Sequence, residues 1–457
     1  MKKIITVSIL FFGFSLFTPC FSQDWFSVDD GLNGPPYAMA VYNFELYVAG
    51  SFTEAAFSPV NNIAKYSSSS WTDVGSGIKG YYGVAIEALM VYNGNLYAGG
   101  AFDSAGGMPA SNIAMWNGTN WSAVGTGISG AEPIVFSMIV YNGNLIVAGY
   151  FDSAGGQPAK NIAMWNGTSW SAMGAGLNDF GLSLEVYNSE LYVGGNFDSA
   201  GGKPCNAFAT WNGSIWSACG QGLKYNGRLG GVSALCTYNG LLYVGGFFDS
   251  AGGHPATMVA TWNGTAWDSV ISEKKLNSGG EIRAMIVAGG RLILGGVFDT
   301  VNGVKTLQVA TWDGTTWDSL GSGFNIPDSG VYTLAYFQND VYAGGDIKLS
   351  GRTTVRHIAS WNHPTGISPI EENENVINVF PNPSSGIFTI AFVGAQNFVP
   401  KNIEVFNMLG EKVFTAIRQL ADDNLINLSN QPSGVYFYRV VSDKGDLIGE
   451  GKLVLQK

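Results

Sequence analysis

One short segment, an apolar run that closes on glycine, recurs seven times along this chain. The copies are Leu46–Gly50, Leu96–Gly100, Leu145–Gly149, Leu191–Gly195, Leu242–Gly246, Leu292–Gly296 and Val341–Gly345. Their closing glycines stand 46 to 51 residues apart. A fixed period of this length marks a supersecondary unit that buries its apolar face only against its neighbours. The chain must therefore fold as an array of like units.

Each unit holds four strand candidates. In the second copy the first is Ala88–Tyr92, turned by Asn93-Gly94 into the recurring segment, Leu96–Gly100. The loop Phe102–Gly107 leads to a third strand, Asn112–Trp116, and Asn117-Gly118 turns into a fourth that opens at Trp121. Asn-Gly suits a tight hairpin because both central residues of a type I′ turn need positive φ. Four antiparallel strands per period describe a propeller blade. The sequence motif that makes Asn117, Asn166, Asn212 and Asn263 match glycosylation acceptors is read here as turn chemistry.

Tryptophan fixes the phase. Fourth strands open at Trp25, Trp71, Trp121, Trp170, Trp216, Trp267 and Trp317. Third strands end at Trp116, Trp165, Trp211, Trp262, Trp312 and Trp361, with Tyr66 in the first copy, and no other Trp exists. Large flat rings at equivalent places suit the wedge between neighbouring sheets. The strand at Trp25 has no unit before it, and the last unit stops after Trp361. If the first strand completes the last unit, the ring closes at seven with no open edge.

With the paired glycines, as in Gly99-Gly100, followed by Trp116 and Trp121, the units resemble kelch repeats of galactose-oxidase-like propellers. The resemblance covers about 340 residues, judged by the repeat period, and departs from kelch in the Phe-Asp-Ser-Ala-Gly-Gly loop. That family includes binding scaffolds and enzymes, so the likeness implies a fold and no single activity.

After Trp361 the grammar changes. Residues 366–375 read as a linker, and 376–457 as a compact β-sandwich, with strands at 387–392, 403–407, 424–428 and 435–441. This segment resembles the type A C-terminal sorting domain of the type IX secretion system. The likeness is carried by Pro381, Asn382, Pro383, Gly386, Gly410, Gly434, Tyr436 and Lys452 within their motifs. It implies docking on the outer-membrane translocon and delivery to the cell surface or the medium. At the other end, Lys2 and Lys3 precede an apolar run from Ile4 to Phe17, which reads as a Sec signal peptide cleaved after Ser22. A lipoprotein anchor at Cys20 is the rival reading, which Pro19 fits poorly.

The expected fold is therefore all-β: signal peptide 1–22, seven-bladed β-propeller 23–365, linker, and a small C-terminal β-sandwich. The net charge of −11 argues against nucleic acid, which needs a basic footprint. We expect a monomer. Cys205, Cys219 and Cys236 form an odd set after cleavage of the signal, and read as buried fillers, although the first two flank one hairpin.

Catalytic chemistry is hard to find. The three histidines, His254, His357 and His363, have no metal-ligand spacing, so no cofactor is expected. Asp103, Asp152, Asp198, Asp249 and Asp299 repeat in one loop position and could hold calcium. Their plainer role is to bond the amides of their own turns. The links between units vary most, and they lie on the face opposite the tight turns. Variable loops over a rigid scaffold carry function. Tyr81, Tyr82, Phe180, Tyr225 and Arg228 are expected to ring the channel mouth, as ligand contacts or as a plug. The favoured reading is a non-catalytic binding propeller for a glycan or protein, with adhesion as one use of such binding. An extracellular polysaccharide lyase or hydrolase and a passive structural protein are the alternatives.

Overall fold

The computed structural model describes residues 25–80, 84–271, 280–324, 330–362, 376–380, 384–393, 400–407, 412–417, 425–442 and 447–456. Among these, all regular structure is β, without a helix. The chain divides into two compact units, Met1–His363 and Pro364–Lys457.

The first unit is a propeller-like array of four-stranded antiparallel sheets, each running in simple order from first strand to fourth. The first strands are Pro36–Tyr42, Ala85–Tyr92, Ile134–Tyr141, Gly181–Tyr187, Gly231–Tyr238, Glu281–Ala288 and Val331–Phe337. Each contacts the first strand of the next sheet, and Val331–Phe337 contacts Pro36–Tyr42. The N-terminal strand Phe26–Ser27 pairs with Ile358–Asn362, so Phe26 faces Ser360 and Ser27 faces Ala359. The chain's beginning thus supplies the fourth strand of its last sheet, the pairing expected from the incomplete end units.

The core lies between the sheets. One apolar cluster joins Tyr47 and Ile63 of one sheet to Ile86, Leu96 and Trp116 of the next, and similar clusters fill the other gaps. The fourth-strand tryptophans add a polar link to all the wedges but that of Trp317, whose indole N–H is buried without a partner among the described residues. Trp121 Nε1 donates to the Val74 carbonyl at 2.9 Å, Trp216 to Met173 at 2.8 Å and Trp267 to Cys219 at 2.9 Å. Trp25 donates to Leu320 at 2.9 Å and Trp71 to Val28 at 3.3 Å, so the linkage runs through the N-terminal strand. A second series joins the hairpin tips: Tyr42 Oη donates to the Gly94 carbonyl, Tyr92 to Gly143 and Tyr187 to Gly240. Burying a ring while satisfying its polar atom is what makes Trp and Tyr suited to these places.

Asn93-Gly94 has the positive φ at both residues that a type I′ turn needs, but at Asn117-Gly118 only the glycine does, and the asparagine side chain caps the turn instead. Asn117 Oδ1 accepts from the Thr119 and Asn120 amides at 2.9 and 2.8 Å, and Asn166, Asn263 and Asp313 repeat the pattern. The Phe-Asp-Ser-Ala-Gly-Gly segment, expected as a loop, is a small hairpin: Ser104–Ala105 pairs with Met108–Pro109. Gly106 and Gly107 supply the positive φ at its tip. Cys205 and Cys219 are buried free thiols, and burial pushes Cys205 up to about 11.

The C-terminal unit has two antiparallel sheets, one of Val376–Phe380, Ile387–Val393 and Leu425–Asn427, the other of Lys412–Ile417, Pro400–Phe406, Gly434–Ser442 and Leu447–Leu455. Phe388 and Ile426 of the first share a core with Val405, Tyr438 and Leu453 of the second. Three of these strands, at 376–380, 412–417 and 447–455, were not foreseen from the sequence. They carry weaker apolar alternation than their partners.

Candidate functional site

Every first strand in the propeller-like unit carries one β-bulge, always at the same register. The pairing skips Tyr37, Glu87, Phe136, Leu182, Ser233, Arg283 and Tyr332, one residue per strand. A bulge leaves its extra residue out of the ladder and re-aims the side chain. All seven of these residues line one cavity of about 630 Å³. Each precedes the closing glycine of its repeat by 13 residues.

The closing glycine is what permits the bulge. A Cβ on Gly100 would collide with the Ala85 carbonyl, two residues before Glu87, and Gly149, Gly195, Gly246 and Gly296 face the equivalent carbonyls. An invariant residue of the repeat therefore makes room for a variable one. The bulges also lie at the strand ends fed by the inter-sheet links, so the cavity is reached from that face.

The seven side chains differ in chemistry by sector. Tyr37 and Tyr332 stack, with ring centroids 5.7 Å apart and planes at 21°. The Arg283 guanidinium sits 4.8 Å over the Tyr332 ring, and its Nε donates to Glu281 Oε2 at 3.0 Å. Ser233 Oγ donates to Glu281 Oε1 at 2.7 Å. Burial raises the Glu87 carboxyl from the usual range to about 7, and the positive charge of Arg283 offsets only part of this. Burial also raises the Tyr37 phenol, against a hydrogen bond with Ser51. Phe136 and Leu182 form an apolar sector. Phe180 meets Phe136 edge-on at 6.0 Å and packs on Tyr150 at 4.6 Å. Further along the same strands, Thr237 Oγ1 donates to Glu185 at 3.0 Å, and burial raises that carboxyl too.

Of the residues expected at the channel mouth, Phe180 touches the cavity wall through Phe136. Tyr225 and Arg228 are paired on a hairpin that extends an outer small sheet, where Tyr225 packs on Phe247 at 4.1 Å. Neither lines the cavity. Tyr81 and Tyr82 lie outside the described residues. The repeated aspartates sit on separate hairpins. Asp103 Oδ1 accepts from its neighbour Ser104, whereas Asp198 Oδ1 accepts from Asn178 and Asp249 Oδ2 from the Asn226 amide, both on the preceding inter-sheet link and not in the turn of the aspartate itself. Among the described residues no three His, Cys, Asp or Glu side chains gather as metal ligands.

In the C-terminal unit, Pro381, Asn382, Pro383 and Gly410 lie outside the described residues. Gly386 abuts Ser429, where a Cβ would not fit. Gly434 opens the long strand, and the buried Tyr436 donates its hydroxyl to the Pro432 carbonyl at 2.8 Å. Lys452 pairs with Phe437 across the neighbouring strands. Lys412 and Arg439 hydrogen-bond Glu404 and hold it below the usual carboxylate range.

Comparison with known proteins bears on this second unit. Residues 378–456 match the family described as "Secretion system C-terminal sorting domain". No curated protein matches the chain. Among solved structures, PorZ, a surface component of the type IX secretion system of Porphyromonas gingivalis, is 12% identical with a TM-score of 0.45; the comparison covers 93% of this chain and 60% of that one. The extracellular domain of a one-component system from B. thetaiotaomicron is 11% identical, with a TM-score of 0.46 and coverage of 95% and 59%. A fungal alcohol oxidase of the AA5 family, solved with copper, is 13% identical, with a TM-score of 0.45 and coverage of 93% and 98%. The chain spans about six-tenths of the length of the first two. The sorting domain marks the chain as one that engages the type IX secretion system and is exported by it to the cell surface or the medium.

Proposed function

We propose that residues 23–365 form a closed seven-bladed, kelch-like propeller that acts outside the cell as a non-catalytic binding protein. A Sec signal peptide at 1–22 starts its export, and the domain at 376–457 carries it through the outer membrane. Its ligand, a glycan or a protein, enters the central cavity from the face of the inter-sheet links.

The observation that carries this reading is the set of seven bulges. Selection for stability alone favours like residues at like positions of a repeat, as the Trp and Gly series illustrate. The bulge position instead holds Tyr, Glu, Phe, Leu, Ser, Arg and Tyr, all turned into one cavity. Closure at seven is supported by the cycle of first-strand contacts and by the pairing of Phe26 with Ser360.

An extracellular polysaccharide-acting enzyme is the second reading, favoured by the Glu87 carboxyl at about 7, a value suited to a general acid. Glycoside cleavage asks for a second available carboxylate. Glu281, the other carboxylate on the cavity wall, is already bonded to Arg283 and Ser233. The test presents the full secreted chain to glycan and protein arrays, with and without calcium, beside a polysaccharide-degradation screen. Binding without turnover is the expected result. Turnover that disappears in Glu87→Gln overturns the non-catalytic reading.

A further inference from the structure

We propose that the cavity takes a neutral sugar ring, held between an apolar wall at Phe136 and Leu182 and a polar wall at Arg283, Glu281, Ser233 and Tyr332. This inference deepens the binding reading above and rests on it. In a closed ring of seven, the third and fourth sheets together lie opposite the seventh, with the sixth and first beside it. The apolar pair therefore faces Tyr332 across the cavity, with Arg283 and Glu281 to one side, and Ser233 on the fifth sheet joins that polar group through its hydrogen bond to Glu281.

Three features select the ligand class. The first is amphipathic division: a pyranose has a C–H face that packs on an aromatic ring and an edge of hydroxyls. The cavity offers both surfaces, and Phe180 braces the Phe136 ring edge-on. The second is the mix of hydrogen-bonding groups. Arg283 presents only donors and the Glu281 carboxylate only acceptors; Ser233, whose proton goes to Glu281, presents an acceptor, and the Tyr332 hydroxyl either. Vicinal hydroxyls, which donate and accept in turn, match such a set. The third is charge. Arg283 is compensated by Glu281 at 3.0 Å, and burial favours the neutral form of Glu87. An anion would meet no uncompensated cation here. An amine would have to displace Arg283 from Glu281. The volume, about 630 Å³, falls in the range of small-molecule sites.

The test titrates the full secreted chain by calorimetry with methyl glycosides of glucose, galactose, mannose and N-acetylglucosamine, and with glucuronate and glucosamine. A neutral glycoside should bind, and Arg283→Met and Phe136→Ala should each weaken it by roughly tenfold or more. Phe44→Ala, an exposed ring on a hairpin tip, should leave it unchanged, and circular dichroism should show all variants folded. Should Phe136→Ala fail to fold, Phe136→Leu with a threefold-range loss serves in its place. Preference for glucuronate or glucosamine, or affinity indifferent to Arg283→Met and to the Phe136 variants, overturns the inference. If no sugar binds while a protein ligand does, the inference falls and the binding propeller stands. If a sugar polymer is cleaved, the binding reading itself falls.

Discussion

The wedges between sheets and the cavity at their centre obey opposite rules. In the wedges one solution recurs: an indole at the head of the fourth strand donating to the preceding sheet, as Trp121 does to Val74 and Trp216 to Met173. At the centre no residue type dominates, although every position is set by the same bulge and the same glycine. A wedge has one geometry to fill, and only a flat ring with one donor fills it well. The cavity wall faces open space and not a neighbouring sheet, so its side chains are not held to one shape and are free to suit something else. Repetition marks what holds the molecule together, and its local failure marks what the molecule holds.

This contrast can be broken from the structural side. Gly100→Val places a side chain against the Ala85 carbonyl and the Ile86 backbone, so the bulge must open or the strand must shift. A loss of about 4 kcal/mol or more is expected in urea unfolding, or failure to fold. Trp25→Ala empties a fully buried site at the closure and leaves the Leu320 carbonyl unpaired. About 3–5 kcal/mol should be lost. Trp121→Phe keeps most of the ring and removes the donor, at a cost of about 1–2 kcal/mol.

Changes at the centre should cost far less. Tyr332→Phe is expected to alter stability by less than about 0.5 kcal/mol while changing ligand affinity. Glu87 provides the one stability signature of the centre. Its carboxyl titrates near 7 when folded against an ordinary 4.5, so the folded state holds more protons between those values. Stability therefore falls as pH rises from about 4.5 through 7. Glu87→Gln should flatten the dependence of melting temperature on pH over that window. An unchanged slope would show that Glu87 is better hydrated than its burial indicates.

Much of the scaffold was legible in the sequence because it repeats. The Gly and Trp series, the Asn-Gly turns and the orphan strand at Trp25 each express a local rule in several copies. The site was harder to see for the same reason. Seven unlike residues give no motif, and the eye passes over Glu87 or Arg283 as ordinary strand residues. Variability at a constant 13 residues before each closing glycine did not single the site out, because the residue just after that glycine varies as much. Attention to the long links instead singled out Tyr225 and Arg228, which the fold carries to an outer hairpin. Link length is a poor guide when the variable element is a single re-aimed residue inside a strand. In the C-terminal unit the strands at Lys412–Ile417 and Leu447–Leu455 were missed because polar residues and glycine interrupt their alternation.

Closure of the ring underlies both the wedges and the cavity, and a paired-cysteine measurement tests it most directly. Phe26→Cys with Ser360→Cys places two thiols at facing positions of the first and last strands. A disulfide within one chain, formed under air oxidation and seen by mass spectrometry, with a higher melting temperature than the reduced form, is the predicted result. Thiols that stay free, or that link only different chains, would mean an open array without an enclosed centre.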